Sequence, residues 1–205
     1  SDSLLHLSLF YLSLGFGFMA KGLPGIAIPG AVAFLFLLSQ RQTGRLTRLF
    51  HPLPVWVLLA TISPWLILMT ARHPEFLHVF FLEEHVGRFA GAMTSNDALL
   101  PTTVWLALVA AEFFPWTFHL PHLAAALPRM VRGGAVPADK LVYLLIWAGL
   151  PLVLYSHSMS KVDLYGLNSY PALAILLSLP LRDVLGREGF SSARSWAYPW
   201  FVISP

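Results

Sequence analysis

A chain of 205 residues that is 57% hydrophobic and only 11% charged, with a mean hydropathy of +0.68, has too little polar surface to be a soluble domain. Its net charge of +3 and pI near 9.4 would suit nucleic acid, but the basic residues sit in short segments between apolar runs, as cytoplasmic loops do. Nucleic acid is therefore not an expected partner, and the absence of cysteine excludes disulfides and thiolate metal sites.

The first residues, "SDSLLHL", carry no basic n-region, so no signal peptide is expected there. Six candidate spans follow in order: Leu4–Ala20, Gly22–Leu38, Pro54–Ala71, Leu100–Leu120, Lys140–Tyr155 and Tyr165–Leu181. Runs of about 17–20 residues suffice to cross a hydrocarbon core as helix. A truncated seventh span is expected from about Trp196, in "SWAYPWFVISP". Ten-residue alternating segments, which a membrane barrel needs, are missing from the sequence. The expected fold is all-α: a polytopic transmembrane helix bundle forming one domain over 1–205.

Loop charge sets the expected orientation. Residues 39–53 contribute Arg41, Arg45 and Arg48 with no acid, and 121–140 contribute Arg129, Arg132 and Lys140 against Asp139. Residues 182–195 add Arg182, Arg187 and Arg194 against Asp183 and Glu188. Between them, residues 72–99 carry Arg72 and Arg88 against Glu75, Glu83, Glu84 and Asp97. The positive-inside rule puts the three basic segments and the N-terminal end of the chain in the cytoplasm. Lys21, Arg88 and Lys161 then share the opposite face.

The densest charge lies in "FFLEEHVGRF", Phe80–Phe89. Helical steps of about 100° would gather Glu84, His85 and Arg88 in one arc, with Leu82, Val86 and Phe89 opposite. That predicts a short amphipathic helix at the membrane surface. The bland reading is a Glu84–Arg88 pair on a solvated face, contributing a few tenths of a kcal/mol. The other is a site in which Glu84 and His85 hold a divalent metal, although adjacent ligands need partners from elsewhere.

Lys21 is the one charge between Ser3 and Ser39. It either snorkels at the interface or binds a lipid phosphate, with Gly15, Gly17, Gly22 and Gly25 allowing close helix packing around it. The segment "SHSMSKVDLYGLNSY" joins two spans and carries His157, Lys161, Asp163 and Tyr165; its bland reading is a polar turn. Glu112, in "LVAAEFFPW", lies near a span end, where a structural hydrogen bond outweighs catalysis. His119 and His122 read as interfacial. Of two rival function classes, a transporter needs several charges near the midplane, and Glu112 alone makes a poor pathway. A membrane scaffold without catalysis is the other.

Taken together, "GFMAKGLPGIAIPG", "SPWLILMTARHPEFLHVFFLEEHVGRF", "FFPWTFHLPHL" and "SHSMSKVDLYGLNSYPALAIL" resemble successive stations of the bacterial GT-C glycosyltransferases. They are similar to the lipid A aminoarabinose transferases and to the protein O-mannosyltransferase superfamily, over about Gly15–Leu181. The resemblance implies transfer of a sugar from a polyprenyl-phosphate donor to a lipid, glycan or protein acceptor, at the periplasmic face of the bacterial inner membrane. It implies donor-phosphate binding by Lys21, Arg88 and Lys161 and substrate positioning by Tyr165. Glu84 and His85 become ligands of a divalent metal or positioning groups. The family's catalytic aspartate lies in a large loop after its first span, and no such loop is present here. Asp97 and Asp163 match no such motif, and the tyrosine-rich segment after the arginine is replaced by "NDALLPTTVWL". The chain is thus expected to be the central part of a larger enzyme, supplying the donor-phosphate side and inactive alone.

Overall fold

Helices occupy every one of the six stretches that hydropathy marks. The structure is a computed structural model, and the residues it describes are 2–87, 100–133, 136–159 and 161–187, without the side chains at 2, 84–86, 163 and 181–187. Among the described residues there is no strand. The expected seventh span near Trp196 lies outside them. The chain divides into two compact units, 1–99 with 157–160 and 100–156 with 161–205.

In the first unit, α1 (Asp2–Lys21) is apolar on all sides, as a lipid-embedded helix is. It ends at Gly22, whose φ of 69° turns the chain into α2 (Pro24–Ser39). Pro24 suits that start, since a first-turn proline has no amide to leave unpaired. The basic segment 39–53 folds as a short helix, α3 (Thr43–Leu49), before α4 (Pro52–Arg72). His51 caps α4: its Nδ1 accepts the Leu53 N–H at 3.3 Å. α1 packs along both α2 and α4. A helix over His78–Gly87 follows, wound with i→i+5 hydrogen bonds.

In the second unit, α5 (Thr102–Glu112) breaks at Pro115 and continues through a tight turn (Trp116–His119) into α6 (Leu120–Gly133). The two arms diverge by 100°. α7 (Ala138–His157) buries Leu141, Leu144, Ala148, Pro151 and Tyr155, alternating steps of three and four that form one stripe. The turn Asp163–Asn168 then leads into α8 (Tyr170–Arg187). The core joins Phe113, Leu123 and Met130 to Leu141 and Leu144 of α7 and Leu176 of α8.

Among the described residues, three helical stretches are long and apolar enough to cross a membrane: Ser3–Lys21, Thr43–Arg72 and Ala138–His157. The bent pair α5–α6 would make a fourth, while α2 and the apolar part of α8 are shorter. The expectation of six full spans is met in position but not in length. The exposed Phe16, Trp56, Ile67 and Val153 fit this membrane reading, since lipid tails solvate such surface.

Candidate functional site

The Lys21 corner is built by glycines. The backbones of Gly17 and Gly25 approach so closely that a Cβ on Gly25 would lie 2.2 Å from the Gly17 carbonyl oxygen. Gly15 likewise meets Thr61 of α4, where a Cβ would fall 2.7 Å from Thr61 Cγ2. The Gly22 N–H donates to Phe18 O at 2.7 Å, closing the helix end. Lys21 therefore stands exposed on a corner whose backbone is tightly held.

An aromatic cluster brings the charged segment to that same corner. Phe80 stacks on Phe76 with ring centroids 5.1 Å apart, and meets Phe18 and Trp65 edge-on at 5.6 and 5.9 Å. Phe18 is nearly fully buried and lies one turn before Lys21. The His78–Gly87 helix therefore sits at the Lys21 end of α1, as loop charge predicts for these two elements.

Within that helix the observed ion pair is His78 Nδ1–Glu83 Oε1 at 3.4 Å. Its five-residue spacing follows from i→i+5 winding, which advances each side chain by less than the expected 100°. With both side chains largely exposed, it contributes less than about 1 kcal/mol. The expected grouping of Glu84, His85 and Arg88 involves side chains outside the described residues. Among the described residues no three His, Asp or Glu side chains gather closely enough to hold a metal ion.

In the second unit, Lys161 and Tyr165 belong to a turn fastened at both ends by tryptophans. Trp105 of α5, with no exposed surface, donates its Nε1–H to Val162 O at 2.9 Å. Trp147 of α7 donates to Asn168 O at 3.1 Å. Between them, Tyr165 stacks on the buried Tyr155, with centroids 4.1 Å apart and planes 22° apart. One face of the Tyr165 ring is thus occupied by protein. Gly166 must be small, because a Cβ would come within 2.8 Å of the Tyr170 hydroxyl. Half-buried Lys161 is adjacent to the clamped Val162.

Sequence reasoning missed Trp105 and Trp147 as positioning groups. Their only signal was an indole N–H inside an apolar run, a donor that must find an acceptor. Glu112 is held as expected: the Tyr170 hydroxyl shares its proton between Val109 O at 2.9 Å and Glu112 Oε2 at 3.0 Å. His119, which reads as interfacial, is buried in the turn after α5, and His122 is exposed.

No family model matches the chain. It is 32% identical over 190 residues to the undecaprenyl phosphate-alpha-4-amino-4-deoxy-L-arabinose arabinosyl transferase of Aeromonas hydrophila, covering 92% of this chain and 34% of that protein. The protein of the same name from Erwinia tasmaniensis is 34% identical over 167 residues, covering 82% of this chain and 29% of the relative. Among solved structures, ArnT from Cupriavidus metallidurans bound to undecaprenyl phosphate superposes with a TM-score of 0.75 at 32% identity. That match covers 96% of this chain and 33% of that one; the apo state gives 0.71. The resemblance read from the motifs is borne out, and the chain spans about a third of the length of the curated relatives it matches.

Proposed function

From this homology with the undecaprenyl-phosphate aminoarabinose transferases, we propose that the chain forms the donor-phosphate side of a membrane glycosyltransferase. The observation that carries the reading is the Phe80–Phe18 contact, which supports a shared site for Lys21 and the charged 78–87 segment. The donor is a polyprenyl-phosphate-linked amino sugar of the arabinose type, and the acceptor is a lipid, glycan or protein. The protein sits in the bacterial inner membrane, with the N-terminal end of this chain cytoplasmic and the site facing the periplasm.

In this reaction the bond between the sugar's anomeric carbon and the phosphate oxygen breaks, and its electron pair leaves with the polyprenyl phosphate. An acceptor oxygen forms the new bond to the anomeric carbon and gives its proton to a base supplied by another part of the protein. The resemblance assigns donor-phosphate binding to Lys21, Arg88 and Lys161, cations that donate hydrogen bonds to anionic oxygens. They stabilise charge that grows as the glycosidic bond lengthens. Glu84 and His85 either orient Arg88 or would hold a divalent metal ion. Tyr165, whose ring is stacked on Tyr155, positions the substrate. The Tyr170 hydrogen bond to Glu112 supports this reading over a transport pathway, because it gives that carboxylate a structural partner.

The test is transfer from an undecaprenyl-phosphate sugar by the full-length protein bearing Lys21→Ala, Arg88→Ala or Lys161→Ala. Loss of one donor to the leaving phosphate is expected to slow transfer by about 10²–10³. Unchanged transfer in all three variants would remove the proposal.

A further inference from the structure

The segment after Pro115 is more than a basic loop. α6 runs from Leu120 to Gly133 and leaves the direction of α5 by 100°. Wherever α5 runs along the membrane normal, α6 must lie close to the membrane plane. Its depth follows from what it packs on. Leu123 and Met130 share a core with Leu141 and Leu144, in the first two turns of α7. The opposite end of α7 is marked by Ser156 O, which accepts a hydrogen bond from Thr102 at the start of α5. α6 packs on α8 and shares its core with the Ala138 end of α7, a helix about 30 Å long, which places it near one surface of the bilayer.

The surface of α6 divides into three flanks at steps of about 100° per residue. One, with Leu123 and Met130, is buried against the core. The next carries exposed Val131, Ala124 and Pro128. The third carries exposed Arg129, Arg132 and His122. Ahead of the helix, Phe114, Trp116 and Phe118 are each about half exposed. An apolar flank, a basic flank and a cluster of exposed aromatics at its start are what the zone between acyl chains and headgroups favours. Arginines carried into the hydrocarbon would be costly, whereas near the headgroups they reach phosphate oxygens.

We propose that α6 is an interfacial helix lying along the membrane surface, with Arg129 and Arg132 seated on the phosphates of anionic phospholipids. The proposal rests on the membrane reading above but not on the transferase reading.

The test uses the full-length protein in a cysteine-free background, spin-labelled at Val131→Cys or Leu106→Cys and placed in vesicles of phosphatidylethanolamine with phosphatidylglycerol. Quenching by oxygen and by a water-soluble nickel chelate reports depth. The Val131 label is expected at headgroup level, and the Leu106 label on α5 deeper, in hydrocarbon. In unlabelled protein, spin-labelled phosphatidylglycerol should associate in preference to phosphatidylcholine. Arg129→Gln with Arg132→Gln should lower that preference, by up to about fivefold per arginine, and high salt should also weaken it. A Val131 label freely exposed to the chelate, or one as deep as Leu106, would overturn the proposal. So would equal lipid preference in the parent and the double variant. Neither readout uses donor or acceptor, so failure here is separate from failure of the transfer test.

Discussion

Phe80 meets Phe18 edge-on, with ring centroids 5.6 Å apart, and so ties the helix bearing the acidic cluster to the α1 turn that ends at Lys21. The same ring stacks on Phe76 and meets Trp65 of α4. Edge-on and offset aromatic pairs each add roughly 0.5–1.5 kcal/mol beyond the area they bury. Against them, the exposed His78–Glu83 pair contributes little. The His78–Gly87 helix is therefore held in place by its aromatic side.

Phe80→Ala should then release this helix without unfolding α1 or α4. Hydrogen–deuterium exchange over 78–87 is expected to rise by about tenfold or more, as several ring contacts are lost together. Leu82→Ala, at a side chain that is half exposed, should leave exchange nearly unchanged. Equal exchange in the Phe80 variant and the parent would show that something else holds the segment.

The glycine contact beneath Lys21 allows a sharper contrast. Gly25→Ala would push a methyl group to 2.2 Å from the Gly17 carbonyl oxygen, which is backbone and cannot rotate away. α1 and α2 must separate, at a cost of about 1–3 kcal/mol. The melting temperature of the full-length protein should fall by several degrees. Gly30→Ala, on the same helix with nothing within 4 Å, is expected to be neutral or slightly stabilising through helix propensity. Equal melting temperatures for the two variants would contradict the close approach.

The small residues around Lys21 were legible because their function is local: two adjacent helices and the turn between them. Apolar runs were legible for the same reason. Residues 121–140 were read only as a basic loop, because Pro121, Pro128 and two arginines interrupt every charge-free window. Yet Leu120, Leu123, Leu127 and Met130 keep helical spacing through the interruption, and that face packs into the core. Phe80–Phe89 reads as a helix with 100° steps; the described helix runs over His78–Gly87 with i→i+5 winding, which brings His78 to Glu83. No periodicity announces that change. The tryptophan clamps were illegible for another reason: Trp105 and Val162 are 57 residues apart, and nothing local to either names the other.

That clamp yields the remaining prediction. Trp105→Phe keeps most of the buried ring but removes the N–H that Val162 O accepts. A buried carbonyl left without its donor costs about 1–3 kcal/mol, so stability should fall by that order. The local effect should exceed the global one, because Lys161 is next to the released carbonyl. Exchange of the amides across 161–168 should accelerate, and the KM for the polyprenyl-phosphate donor should rise by several-fold more than kcat falls. Trp147→Phe, which frees Asn168 O at the other end of the turn, is expected to accelerate the same exchange with a smaller effect on donor KM. If Trp105→Phe lowers stability while donor KM and turn exchange stay at parent values, Trp105 is a core residue only. Lys161 would then owe its position to other contacts.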